Sequence, residues 1–239
     1  MNNSTGQTAV NLRQFIPMAW FMSVVLALFA KSFFTMFVVI DPVGLAPLYL
    51  ALVRDRPEAE QTQIATRAVL VSAAILLVFG LTGAYVLHNL GISLQAFQIA
   101  AGFLLFKIAL DMIFVQQERE TEAEAKEASN REDVSVFPLA IPLIAGPGSL
   151  ASILVLSRES TNYYLGLSVV LAAAGVVVLL CYLFLLLSRP LAKLLGQIGI
   201  NVVTRVLGVL LAALAVQYML DGLLSLLQLP PAQAFGTEA

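Results

Sequence analysis

Apolar residues in this chain come in runs of about 20, separated by short polar stretches, and a run of that length crosses a hydrocarbon core of roughly 30 Å as a helix. The pattern predicts spans near Val24–Val53, Arg67–Leu87, Gln95–Val115, Val136–Ser157, Tyr163–Leu187 and Val202–Leu220. The first is too long for one perpendicular crossing, which suits a helix that stops and restarts. Ahead of it, Met1 to Pro17 is polar and rich in Asn, Gln and Thr. The apolar stretch from Met18 reads as an uncleaved beginning of the first span, because Ala27-Leu28-Phe29-Ala30 is not a clean cleavage site and the run continues past Lys31. The chain thus divides into a flexible extension (1–22), a first three-span unit (23–115), an acidic linker (116–135), a second three-span unit (136–227) and a tail (228–239).

Two short stretches interrupt this pattern. Asp41-Pro42-Val43-Gly44-Leu45-Ala46-Pro47-Leu48 and Gly146-Pro147-Gly148-Ser149-Leu150-Ala151-Ser152-Ile153 align without a gap, Pro42 on Pro147. Each places proline and glycine inside an apolar run, where a continuous helix disfavours both. The correspondence extends further, since Ala101-Gly102-Phe103-Leu104-Leu105 matches Leu207-Gly208-Val209-Leu210-Leu211 at nearly the same offset of about 105 residues. Spans one to three therefore repeat as four to six, and an odd number of spans makes the second copy enter from the opposite side. The expected fold is an all-α polytopic membrane protein of six transmembrane helices. They form two inverted three-helix repeats with broken first and fourth helices, the plan of transporters whose ligand site lies at the breaks.

Composition agrees with a membrane protein: 59% of residues are hydrophobic and 12% charged, against about 25% charged in soluble domains. Charge also gives an orientation. With six spans Arg54, Arg56, Arg67, Arg119, Lys126, Arg131, Arg189 and Lys193 share one side, while Arg13 and Arg158 fall with the termini. The Lys/Arg-rich side is cytoplasmic and both termini are outside. Trp20, Tyr85, Tyr163, Tyr164 and Tyr218 then fall near the outer interface. A net charge of −2 without a basic block argues against nucleic acid. One cysteine (Cys181), one histidine (His88) and no nucleophile elbow or metal-ligand spacing leave an enzyme, a metal or a cofactor little to stand on.

Asp41 lies near mid-membrane, where an ionisable residue costs at least about 2.5–3.5 kcal/mol and usually faces a cavity or a partner. It reads as a proton relay or a ligand for an amine. It also reads as an N-cap with Pro42 at the first helical position, and the two roles are compatible. Gly146-Pro147-Gly148-Ser149 exposes backbone groups tolerated only against protein or a wet cavity. Such groups hold a carboxylate at a helix N-terminus and an ammonium at bare carbonyls, which together fit a zwitterion; a simple packing kink is the alternative. Asp41, Pro42, Gly44, Gly146, Pro147, Gly148 and Ser149 are the candidate binding residues. Lys107 and Asp111, four apart on the third span, form a neutralising pair or a gate or relay. Gln217 joins them because it matches Asp111 in the repeat.

These motifs carry a resemblance. (Asn/Asp)-Pro-x-Gly-x-x-Pro at Asp41–Pro47, Pro-x-x-x-Gly-Pro-Gly at Pro142–Gly148, Ala101-Gly102, Arg205-x-x-Gly208 and Val216-Gln217 resemble the MarC family of bacterial inner-membrane proteins, from about Met22 to Leu227. The resemblance implies a six-span protein grouped with the LysE-type exporter superfamily, some of whose members look like transporters of small neutral amino acids such as glycine and alanine. Many members carry Asn where this chain has Asp41, which supports capping there. The expectation is a secondary transporter or exporter of small neutral amino acids or similar zwitterions in the bacterial inner membrane. Proton or sodium coupling would drive it, and its small-residue faces are compatible with a homodimer. A non-transporting membrane module for assembly, sensing or envelope homeostasis is the rival, and it requires the broken segments to pack dry.

Overall fold

The computed structural model describes residues 7–54, 56–114, 134–160 and 162–227, with side chains from Met22 onward except at 197. Eight helical elements follow in order: α1 (Gln7–Ile40), α2 (Pro42–Val53), α3 (Glu58–Asn89), α4 (Leu94–Phe114), α5 (Ser135–Ile144), α6 (Pro147–Ser157), α7 (Tyr163–Leu186) and α8 (Ser188–Leu226). Helix α1 begins at Gln7, within the stretch read from sequence as a flexible extension. Most of the acidic linker and all of the tail lie outside the described residues. Among the described residues five helical stretches are long and apolar enough to cross a membrane, or six when α5 and α6, bent by 44°, count as one span.

The first span, Met22–Val53, joins α1 and α2 across Asp41. At 32 residues it would be about 48 Å long as an unbroken helix, well beyond a hydrocarbon core. The second interruption is more elaborate than Gly146-Pro147 predicts. Helix α5 winds in wide π-type turns broken at Phe137 (φ −129°, ψ 125°) and Ile141 (φ −127°, ψ 125°). Each precedes a proline, Pro138 and Pro142, through a cis peptide bond. A residue before proline is pushed into the extended region, so this half-span is irregular along its length. Helix α8 carries a further break at Gly196 (φ 63°) that separates its first turns from the membrane-crossing part, Ile198–Leu226.

Large apolar side chains such as Leu70, Leu81, Phe103 and Val206 point outward, as lipid contact requires. Inside, one buried cluster joins α1, α2, α3, α5, α6 and α7 around Met36, Ile40, Leu139, Ile153 and Val177. A second joins α1, α4, α6 and α8 around Val38, Leu105, Leu211 and Ala215. The most extensive helix pairing is α4 with α8. The two run antiparallel: Gly102 meets Ala215 and Met219, while Gly208 meets Ala109 and Met112. These matched glycines let the backbones approach, because tight helix packing in lipid relies on small residues. At the arginine-rich end Gln61 ties the α2–α3 turn together, donating from Nε2 to the carbonyls of Val53 (3.1 Å) and Arg56 (2.8 Å). Tyr49 Oη donates to the Gln61 carbonyl at 2.6 Å, and Arg189 bonds Glu58 at 2.6 Å.

The α4–α8 seam yields a stability test. A Cβ at Gly102 would lie 2.6 Å from Met219 Cγ and 2.7 Å from the Ala215 carbonyl oxygen. Gly102→Ala should therefore lower stability by roughly 1–3 kcal/mol through overpacking, seen as a lower unfolding midpoint in detergent. Gly175→Ala meets nothing within 4 Å and should leave the midpoint unchanged or raised, since alanine is the better helix former.

Candidate functional site

Asp41 sits at the α1–α2 break in the left-handed region (φ 46°, ψ 67°), the one non-glycine residue with positive φ among those described. Its short polar side chain suits that conformation better than an apolar one would. The backbone holds it from both sides: Asp41 N donates to the Phe37 carbonyl and Leu45 N to the Asp41 carbonyl, each at 3.0 Å. Gly44 N donates to Asp41 Oδ1 at 3.0 Å, so the carboxylate caps α2. Pro42 follows at the first helical position, where its missing N–H costs nothing. A side chain at Gly44 would run into the Asp41 carboxylate. Thr204 of α8 faces the same carboxylate, its buried hydroxyl making no hydrogen bond of normal geometry.

At the other break Gly146 is extended (φ −83°, ψ 172°) and caps α6 without a side chain. Ser149 Oγ lies 2.9 Å from both the Ile144 and the Gly146 carbonyl oxygens, and its single proton serves them in turn. The serine hydroxyl is thus committed to the backbone of the break, a role the sequence reading did not foresee. What the break offers outward is the start of α6, whose first N–H groups have no partner within the helix.

The two breaks open into one cavity of about 750 Å³. Asp41, Gly44, Pro47 and Leu48 form one wall and Pro142, Leu143 and Gly146 to Ser149 another. Helix α4 contributes Lys107, Ile108 and Asp111, and α8 contributes Asn201 and Thr204. Ligand cavities commonly span about 300–1,000 Å³ and carry a few polar groups on an apolar lining, as here. Lys107 Nζ pairs with Asp111 Oδ2 at 2.8 Å on the cavity's edge, with Lys107 the more exposed partner at 68% against 26%.

Of the predicted residues, Asp41, Gly44, Gly146, Pro147, Gly148, Ser149, Lys107 and Asp111 line the cavity. Pro42 is buried beside it and shapes the restart of α2. Gln217 is elsewhere. It stands about 220° around α8 and about 20 Å along it from Thr204, since 13 residues separate them. Its amide donates to Asp221 Oδ1 at 2.7 Å. The repeat match with Asp111 therefore does not bring it to the same cavity. Tyr218, expected at the interface, is buried at 2% exposure. Asn201 and Thr204 were not singled out from sequence; two small polar residues near the start of an apolar span were the available signal. Among the described residues no group of three His, Cys, Asp or Glu side chains is placed to hold a metal.

Two tests follow from this geometry. In a Cys181→Ala background, Leu48→Cys should react with a membrane-impermeant maleimide, while the outward-facing Leu77→Cys should not; protection of both would mean a dry break. Asp41→Asn keeps the left-handed preference and a capping oxygen, so its unfolding midpoint should match the wild type. Asp41→Ala loses both and should fall, with the lost cap alone costing about 0.5–2 kcal/mol.

Comparison with known proteins places this architecture in a family. Residues 26–227 match the sequence profile described as MarC family integral membrane protein. A UPF0056 membrane protein of Methanocaldococcus jannaschii is 35% identical, over 82% of this chain and 95% of its own. One of Aquifex aeolicus is 34% identical over 84% and 94%. The UPF0056 membrane protein YhcE of Escherichia coli is 33% identical over 81% and 90%. No solved structure matches the chain.

Proposed function

The chain belongs to the MarC family of integral membrane proteins, and we propose that it is a secondary transporter of small neutral amino acids or similar small zwitterions. The observation that carries this reading is the meeting of both breaks in one cavity. Asp41 supplies a carboxylate on one wall, and the N-terminal turn of α6 supplies backbone N–H groups on the other. An ammonium suits the first and a carboxylate the second, the helix dipole adding to the attraction. Pro47, Leu48, Ile108 and Leu143 leave an apolar remainder suited to a small side chain.

In this proposal α1–α4 and α5–α8 are inverted three-span repeats that rock about the breaks, as one membrane protein plan of this kind does. The Lys107–Asp111 pair stands at the mouth as a gate or relay. The arginine-rich end, with Arg54 and Arg189, faces the cytoplasm and both termini face the periplasm of a bacterial inner membrane. Coupling to a proton or sodium ion would act through Asp41, and no enzymatic step is needed. A non-transporting module is favoured by one fact, that Asp41 and Ser149 both spend hydrogen bonds on capping the breaks.

Uptake and counterflow of labelled alanine and glycine in proteoliposomes separates the two. The wild type should carry one of them, and Asp41→Asn should carry it with a raised KM and without its dependence on the proton gradient. Flux unchanged in every respect would leave Asp41 as a cap alone. Absence of flux from folded, inserted protein would sink the transporter reading.

A further inference from the structure

The cavity lining runs from the two breaks toward Ala51 and Asp111, and the opposite side of the breaks carries the marks of a second opening. From Gly148, which meets Val39 and Leu105, one face of α6 continues away from the cavity through Ser152 and Val155 to Glu159 just past its end. These residues are spaced as one helical stripe. Helix α8 runs past the same region from cavity-lining Thr204 through Leu211 to Tyr218, with its Gly208 and Ala215 turned to α4. The region is closed by α1 and α4: Val155 of α6 and Leu211, Ala215 and Tyr218 of α8 share the second buried cluster with Val38 and Leu105.

Two observations are hard to account for as plain core. Ser152 and Tyr218 face each other, yet neither hydroxyl makes a hydrogen bond of normal geometry. Buried polar groups without partners are costly and uncommon in a finished interior. Water in this seam would satisfy them. The seam also ends at an ion pair rather than at apolar packing. Lys31 Nζ reaches both Glu159 oxygens at 2.7 Å, joining α1 to the end of α6 across 128 residues of sequence. Beside it Arg158 lies over the Tyr163 ring at 4.7 Å.

We propose that this seam is the second half of the permeation path, closed in this structure, with Ser152 and Tyr218 as its polar lining and Lys31–Glu159 as its latch. The inference rests on the transport reading for its purpose, and its geometry does not depend on which solute moves. Opening would swing α6 away from α1 and α4, wet the two hydroxyls and separate the ion pair, while the cavity at the Arg54 end closes. The latch is half-exposed, at 50% for Lys31 and 35% for Glu159, so it is weak enough to break within a transport cycle.

The test is sided alkylation, which needs no substrate. Ser152→Cys in Cys181→Ala protein should resist an impermeant maleimide added from the Lys31 end. Adding Glu159→Gln or, separately, Lys31→Gln should raise its labelling several-fold and slow that of Leu48→Cys from the other end. Two latch variants are used so that misfolding of one does not decide the matter. Ser152→Cys equally protected with and without either latch variant would overturn the inference, even if alanine flux is present. Opening of Ser152→Cys in protein that carries neither alanine nor glycine would uphold the seam and reject the substrate reading.

Discussion

Inside hydrocarbon a peptide group has no water to bond, so a spanning segment must satisfy its own N–H and C=O groups along its length. Among the described residues this chain gives up that satisfaction at Asp41 and again over 137–146, and the rest of the molecule is arranged around the consequence. At the first break the repair is a side chain, the Asp41 carboxylate accepting from Gly44 N. At the second it is the Ser149 hydroxyl shared between two carbonyl oxygens. Neither repair is complete, and the groups left over face a common cavity. Proline explains why the interruptions persist: Pro42 and Pro147 start new helices, and Pro138 and Pro142 keep the segment before the second break from winding regularly.

Packing and charge divide the remaining work. The α4–α8 pair is held by glycines against backbone, so one repeat can pivot on this seam against the other but has little room to slide along it. The closed end is different, because its ion pair is half-exposed and such pairs contribute about 0–1 kcal/mol. A protein that alternates between two states needs them within a few kcal/mol of each other. A tight glycine seam between α4 and α8 as the pivot and a weak charge contact across the closed end meet that requirement.

Much of this was legible in the sequence because its signals are local. Apolar runs mark the spans, and proline with glycine inside two of them marks the breaks, so Asp41 and Gly146 were found without a structure. The matched Gly102 and Gly208 also emerged from the repeat, and both lie in the α4–α8 contact. What escaped depends on which face a residue presents or on distant pairing. Gln217 has the right repeat position and the wrong side of α8. Tyr218 looks interfacial by type and is buried. Lys31 and Glu159 meet although 128 residues separate them, and nothing local to either names the other. Asn201 and Thr204 lie on the face of α8 that reaches the cavity, and an apolar run does not say which face that is.

Two breaks that are wet, jointly exposed and able to hold a small zwitterion differ from dry kinks in how their peptide groups meet water. Amide hydrogen exchange in nanodiscs, with and without alanine, reads that difference at the peptide groups themselves. Fast exchange is expected at Val43, Gly148 and Ser149 relative to the middle of α7, with slowing at both breaks together when alanine is added. Exchange at both breaks as slow as in α7 and indifferent to alanine would contradict wet, jointly exposed breaks.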